Sequence, residues 1–435
     1  MRPTLIDLND VELRVSHGED EILRSPGYAT LVDHKVEVGE KGFSEAWRHP
    51  RHSHNRYWQM LDTSPLRHLG KRVRHAGDLA WLHLEELRKQ AGRPERAVFI
   101  LPGAYQRDQL SLLLGIAQAA GLQVDALVES AAAAGAVLSP GHYVHVEACL
   151  HQTVLTRLEV GADRAVCIAR EVLPELGYLQ FEKRILGCIV DSFLTGCRFD
   201  VLHEGSTEQL LHSQLGQWMS LLAQQGKVTL TIDHRGVRHE TVLQLGEVRA
   251  ALAPLQRSLI AHAGTGATVI DYRLARLPGL LHDWPNALAL PAGAVFTGVA
   301  HSPDLAAPTE QGVSLRTQLA CVPAQSRLAA SHITPVALAS PASHLLAGDT
   351  AWELTATAWY LTRRGTVQRA AGAETLGSVS RGPRGGEVTA SEGSGLLLNG
   401  QPVRGTQALR AGDHLTAAGS ACLFVPITVH DDDAT

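Results

Sequence analysis

One pattern, used twice, constrains this chain more than any other feature. Residues 1–140 run from a strand meander into strand, helix, strand and helix, and residues 141–300 repeat that order. In the first round "PTLIDL" (3–8) and "VELRVS" (11–16) are short strands parted by Asn9-Asp10, and "YATLVDHKVEVG" (28–39) continues the antiparallel meander. "AGDLAWLHLEELRKQAG" (76–92) is an amphipathic helix with Leu79, Leu82, Leu84 and Leu87 near one face. "RAVFILPG" (96–103) reads as a buried parallel strand. A helix over 106–122 stopping at Gly121, a strand over 123–130 and a short helix over 131–138 complete the round. The second round opens with "HYVHVEAC", "QTVLTRLEV" and "RAVCIAREV". Helices follow over about 178–195, 206–225 and 246–264, with a hairpin at 227–245 between the last two. A strand, a loop and a helix start occupy 267–285, and a strand and a small-residue helix occupy 287–303. Strands alternating with helices in this way give α/β layering.

Beyond about residue 303 the composition changes. "SPDLAAPTEQG" has linker character, so 304–330 is expected to connect domains. Residues 331–435 hold short β-type runs separated by Gly, Pro and Ser, which predicts a small all-β domain. A length of 435 residues fits two to four domains. The net charge of −5 gives no general attraction to nucleic acid or acidic membranes, so any such partner needs a local patch. No stretch is long and apolar enough for a membrane span, and "MRPTLIDLND" lacks the features of a signal peptide. The six cysteines have no C-x-x-C spacing, and most sit in apolar runs, which suits a cytoplasmic chain with reduced thiols.

Six segments in order carry a resemblance: "LIDLNDVEL", "VGEKGFSEAW", "AGLQVDALVESAAAAGA", "HVEACLHQTVLTRLEV", "VIDYRLARLPGLL" and "AGAVFTGVA". Over roughly residues 1–300 the chain resembles the actin/Hsp70 superfamily. The resemblance implies an α/β, two-lobed fold of tandem RNase H-like halves, with lobe I over 1–140 and lobe II over 141–303. It also implies a nucleotide cleft between two phosphate hairpins, where glycines admit phosphate oxygens and acids hold hydrated Mg²⁺.

The residues at the matching positions depart from that pattern. Asp7 matches the first hairpin's aspartate, but Asn9 replaces a glycine and Asp10-Val11 replace a hydroxyl pair. In the second hairpin Glu147 matches an aspartate and Thr153 keeps its type. Cys149 stands for a glycine there, and Leu150, His151 and Gln152 fill the turn. Glu129 matches a glutamate of the connecting strand. Tyr272-Arg273 replace the Gly-Gly of the adenosine segment, although Gly279 remains after Pro278. Arg273 also brings a guanidinium suited to phosphate. Three nucleotide-contacting elements have lost their glycines together. The expectation is therefore a non-catalytic scaffold or adaptor, a pseudo-ATPase with no cofactor, that binds a protein partner. The rival is a divergent chaperone or ATPase using ATP and Mg²⁺.

Two further segments bear on partners. Residues 47–75 carry seven Lys/Arg against one acid, with five histidines and Trp47, Tyr57 and Trp58 interleaved. Arg48, Arg51, Arg56, Tyr57 and Trp58 are the partner-binding candidates here; a solvated outer lobe ranks first, a protein partner second and nucleic acid third. In the last domain "GSGLLLNGQPVRGTQALRAGDHLTAAGSACLFVPI" (393–427) weakly resembles the closing half of a forkhead-associated domain, which adds Asn399 as a candidate. The histidine of that family's phosphothreonine site has no counterpart, so protein binding without strict phosphate dependence is expected.

Overall fold

A computed structural model describes residues 3–66, 73–282, 284, 286–302, 305, 313–328, 343–347, 350–382, 385–391, 393–398, 401–409, 415–417 and 423–427. The chain forms two compact units, Met1–Ile333 and Thr334–Thr435.

The first unit is mixed α/β. Its first half begins with β1 (Thr4–Asp7), β2 (Leu13–His17) and β3 (Asp20–Ser25). A small three-stranded sheet follows, made of β4 (Ala29–Val32), β5 (Lys35–Val38) and β6 (Ser53–His54), with α1 (Glu40–Phe43) beside it. Next come α2 (Ala76–Gln90), β7 (Arg96–Leu101), α3 (Arg107–Ala119), β8 (Gln123–Glu129) and α4 (Ser130–Ala136). The second half contains β9 (Gly141–Ala148), β10 (Thr153–Val160), β11 (Arg164–Leu173), α5 (Tyr178–Cys197), α6 (Gly205–Gln225), β12 (Lys227–His234) and β13 (Val237–Gln244). It continues with α7 (Leu245–Ala263), β14 (Ala267–Ile270), α8 (Tyr272–Ala275), β15 (Ala287–Ala289) and α9 (Ala294–Ala300).

The two halves repeat one topology. In the first, strands lie in the order β3-β2-β1-β7-β8, antiparallel across the meander and parallel from β1 onward. In the second, β11-β10-β9-β14-β15 reproduces both the order and the directions. Helix ends follow local chemistry. The His75 ring accepts the Asp78 N–H at 3.2 Å to cap α2, and α3 and α7 start with reciprocal capping boxes, Gln106–Gln109 and Gln244–Glu247. Gly226, at φ +73°, stops α6.

The structure departs from the sequence expectations in two places. The third meander strand is β3, while residues 28–39 form the separate small sheet with β6. Its charged, half-exposed alternation hides β3 as a strand. The segment 304–330 is also more than a linker. Within it β16 (Leu315–Arg316) pairs parallel with β8, and β17 (Gln318–Ala320) pairs antiparallel with β11, so this short stretch extends both sheets to six strands. Leu319, with no exposed surface, anchors it.

Between the sheets lies a layer of small side chains. All seven residues of α4 are buried, and α4 packs on α9 within one apolar cluster that includes Leu5, Val98, Val269 and Phe296. Gly298 makes this close approach feasible, because a Cβ there would overlap the Ala133 carbonyl. Gly298→Val is therefore expected to destabilise the unit by about 1–3 kcal/mol, against the gain of up to about 1 kcal/mol that replacing glycine in an open helix usually brings. Urea unfolding of the two proteins measures the difference.

The second unit is all-β in its described residues. One antiparallel sheet includes His344–Ala347, Leu423–Ile427, Leu415–Ala417 and Leu396–Leu398; the other includes Trp359–Thr362, Thr375–Gly382 and Gly385–Ala390. Leu345, Leu361, Val379, Val388, Leu396 and Phe424, drawn from both sheets, form one core. Asn399, Gly400 and Ala411-Gly412-Asp413 lie outside the described residues.

Candidate functional site

Where the two halves meet, a buried ionic cluster forms from residues that their strands deliver. Register sets Asp7 of β1 directly opposite Arg14 of β2, so the two side chains share a face. Arg14 donates to Asp7 Oδ2 through Nε at 3.2 Å and Nη2 at 2.7 Å, and its Nη1 donates to the Ala292 carbonyl at 2.5 Å. From the other half, Asp271 caps the single-turn α8 by accepting the Arg273 N–H at 2.9 Å. That cap aims the Arg273 side chain at the first half. Its Nη2 reaches the same Asp7 Oδ2 at 2.6 Å and the Glu12 carbonyl at 2.8 Å, and its Nη1 reaches Asp271 at 3.2 Å.

Two acids and two guanidinium groups thus make a neutral quartet, with Arg14 0% and Arg273 1% exposed. Both guanidiniums also stack on the Tyr272 ring, at 4.4 and 4.8 Å from its centroid, and Arg14 on Phe296 at 4.6 Å. Burial alone would raise the Asp7 carboxyl, but Arg273 and Arg14 hold it below its ordinary value. The other oxygen, Asp7 Oδ1, is buried without a hydrogen-bond partner among the described residues.

The two hairpins where phosphates were to be excluded touch each other. Asn9 Oδ1 accepts the Val11 N–H at 3.1 Å, closing the first turn with a side chain. The Asn9 amide then donates across to Glu147 at 3.0 Å and to the Ala148 carbonyl at 3.1 Å. Asp10 accepts the Leu150 N–H at 2.8 Å. Val11 and Leu150 belong to one apolar cluster with Tyr28 and Ala46. Neither turn contains a residue with positive φ, so neither needs glycine for its own backbone.

The first amides of α5 are also taken. Tyr178 N–H donates to the Cys149 carbonyl at 2.8 Å and Leu179 N–H to the Leu150 carbonyl at 3.0 Å. Gly177 lets them come this close, since a Cβ there would collide with the His151 backbone. A helix N-terminus that favours anions is in this way satisfied by the protein's own carbonyls.

No family model and no curated protein sequence matches this chain.

The remaining candidate residues are placed as follows. Glu147 is buried and hydrogen-bonded to the Ser130 hydroxyl as well as to Asn9. Burial, and then the charges of Asp271 and Asp7, push its carboxyl up to about 8. Burial likewise raises Asp10 to about 6, against the opposing Leu150 N–H. Glu129 is fully buried in a two-point pair with Arg170, the Nε bond measuring 2.6 Å. The Thr153 hydroxyl donates to the Leu176 carbonyl. Gly279, at φ +78°, lies against the Arg249 side chain. Arg273 is bound within the quartet instead of offering its guanidinium to a ligand. Arg14 was not among the sequence candidates; its place in an alternating strand reads as a solvent position.

In the 47–75 segment Arg48, Arg51 and Arg56 are exposed, but Tyr57 and Trp58 are 2% and 1% exposed. Their hydroxyl and indole N–H both donate to His83 Nδ1, at 2.7 and 3.2 Å, so they form core and do not offer a stacking surface. Arg67, His68, Lys71 and Arg72 lie outside the described residues.

Two cations already occupy the aspartate, hairpin contacts close the gap, and the α5 amides are spent. Removing one member of the quartet strands the others. Asp7→Asn is expected to cost about 3–5 kcal/mol in denaturant unfolding, the range for breaking a buried pair. Glu147 predicts a pH dependence. Its native value of about 8 exceeds its ordinary 4.5, so between these values only the folded state holds the proton, and stability falls as pH rises through that window. Glu147→Gln should flatten the decline, measured by urea unfolding between about pH 5 and pH 9.

Proposed function

We propose that this chain is a non-catalytic scaffold or adaptor of the actin/Hsp70-like type, a pseudo-ATPase whose two rigid halves hold a protein partner. The observation that carries this reading is the ionic quartet: Arg14 and Arg273 converge on Asp7 Oδ2, where a metal-binding acid would need to be open. The repeated strand order of the two halves supports the actin/Hsp70-like reading of the fold. The direct bonds from Asn9 and Asp10 to the second hairpin support the absence of phosphate binding. In the same reading the second unit is a β-sandwich of forkhead-associated type that adds a protein-binding surface, and exposed Arg48, Arg51 and Arg56 add a basic one. Among the described residues no helix is long and apolar enough to cross a membrane.

The test is thermal and chemical unfolding with Mg²⁺-ATP and Mg²⁺-ADP at millimolar concentration. A ligand at about 100 times its dissociation constant adds about 2.7 kcal/mol, and no such gain is expected here. Stabilisation by ATP, or phosphate release that disappears in Asp7→Asn while the fold persists, would overturn the proposal.

A further inference from the structure

Beside the closed hairpins lies a cavity of about 970 Å³, large enough for a drug-sized organic molecule. Elements of both halves form its walls, and Tyr28, Phe43, Tyr178 and Ile185 supply much of the apolar lining. Its charged groups differ in what they already hold. Arg24 and Arg276 each stand 3.6 Å from Glu12, and Glu12 also accepts the Tyr272 hydroxyl. Arg249 packs its methylenes against Gly279. Glu40 is exposed.

Glu182, on α5, is different. It lines the cavity, half-buried, and makes no hydrogen bond among the described residues, with the Arg276 charge nearby. His212 on α6 is a second such group. It is 8% exposed, with Nδ1 buried and unpartnered and its ring stacked on Trp47 at 3.5 Å. Burial pushes the imidazole down to about 3, so it adds no positive charge. Beside its three guanidiniums the wall therefore offers aromatic surface and one acid, Glu182, that has Arg276 as a neighbouring charge but no hydrogen bond, so a ligand's N–H donors can pair with it.

We propose that this cavity binds a small organic cation, an amidine or amine on a flat apolar body, whose N–H groups pair with Glu182 while its body packs on Tyr28 and Tyr178. The site goes beyond the scaffold reading and does not depend on it, since no phosphate and no part of the ionic quartet takes part.

The groups facing Glu182 are Arg276, Tyr28 and Tyr178. Burial, opposed by Arg276, raises its carboxyl to about 7, and both phenols stay neutral through the range that matters. A cation that needs the carboxylate should bind about tenfold more weakly at pH 6 than at pH 8, following the ionised fraction.

Benzamidine is the probe, with benzoate as the opposite-charge control, followed by calorimetry and ligand-observed NMR on the full chain. Benzamidine should bind saturably at about pH 8 with a dissociation constant of about 1 mM or tighter, and benzoate should not. Glu182→Gln should weaken binding about tenfold, as for losing a charge-assisted pair. Gly216→Phe should abolish it. Gly216 lines the cavity at an exposed helical position where an added Cβ meets no atom within 4 Å, so a side chain can be introduced there without pressing on the backbone. Absence of saturable benzamidine binding would overturn the proposal. So would equal binding of benzoate, or an unchanged constant in Glu182→Gln. The scaffold reading fails on a different readout, the response to Mg²⁺-ATP.

Discussion

Two guanidinium groups share a single carboxylate oxygen at the junction of the two halves, and much of the first unit is organised around that contact. Arg14 comes from the same sheet as Asp7, while Arg273 arrives from the turn after β14. Burying four charges is costly, and the cost is offset only when every partner is in place. Here Asp271, the Ala292 and Glu12 carbonyls and the Tyr272 ring complete the set. The cluster thus fastens one half to the other through groups that lose their compensation if either half moves away.

Next to the occupied aspartate, the neighbouring hairpins pack against each other. Asn9 closes its own turn and bridges to the opposite strand, Asp10 accepts a backbone N–H, and the α5 amides receive the Cys149 and Leu150 carbonyls. Glu147 and Asp10 complete the picture by their raised affinity for protons, because a neutral carboxylic acid is the cheaper form in such a site. Beside them lies the adjoining cavity, walled by elements of both halves.

Several features were legible before any coordinates. The alternation of meander and helical crossover marked both halves, and helix positions such as Tyr178–Cys197 and Gly205–Gln225 follow from apolar periodicity. The turns at residues 9–11 and 149–152, conspicuous in the sequence for holding no glycine, are in direct contact in the structure. Other features misled. Arg14 alternates with Leu13 and Val15, a spacing that normally points a charged residue at water, yet both faces of this sheet are covered. Tyr57 and Trp58 sit among basic residues, but their polar atoms find His83 inside the protein. Residues 315–320 are too short and too mixed in composition to announce two edge strands.

The sequence by itself determined most of the helices, the main strands and their order, because periodicity and turn chemistry act over a few residues. Only the tertiary structure decided which charges meet. Asp7 and Arg273 are separated by 266 positions in the chain, and the strand register that brings Arg14 against Asp7 depends on the whole sheet. Long-range ion pairs of this kind leave no periodic trace. Each residue looks like an ordinary surface charge until the fold removes the water around it, and from then on the partner it finds decides what the site can bind.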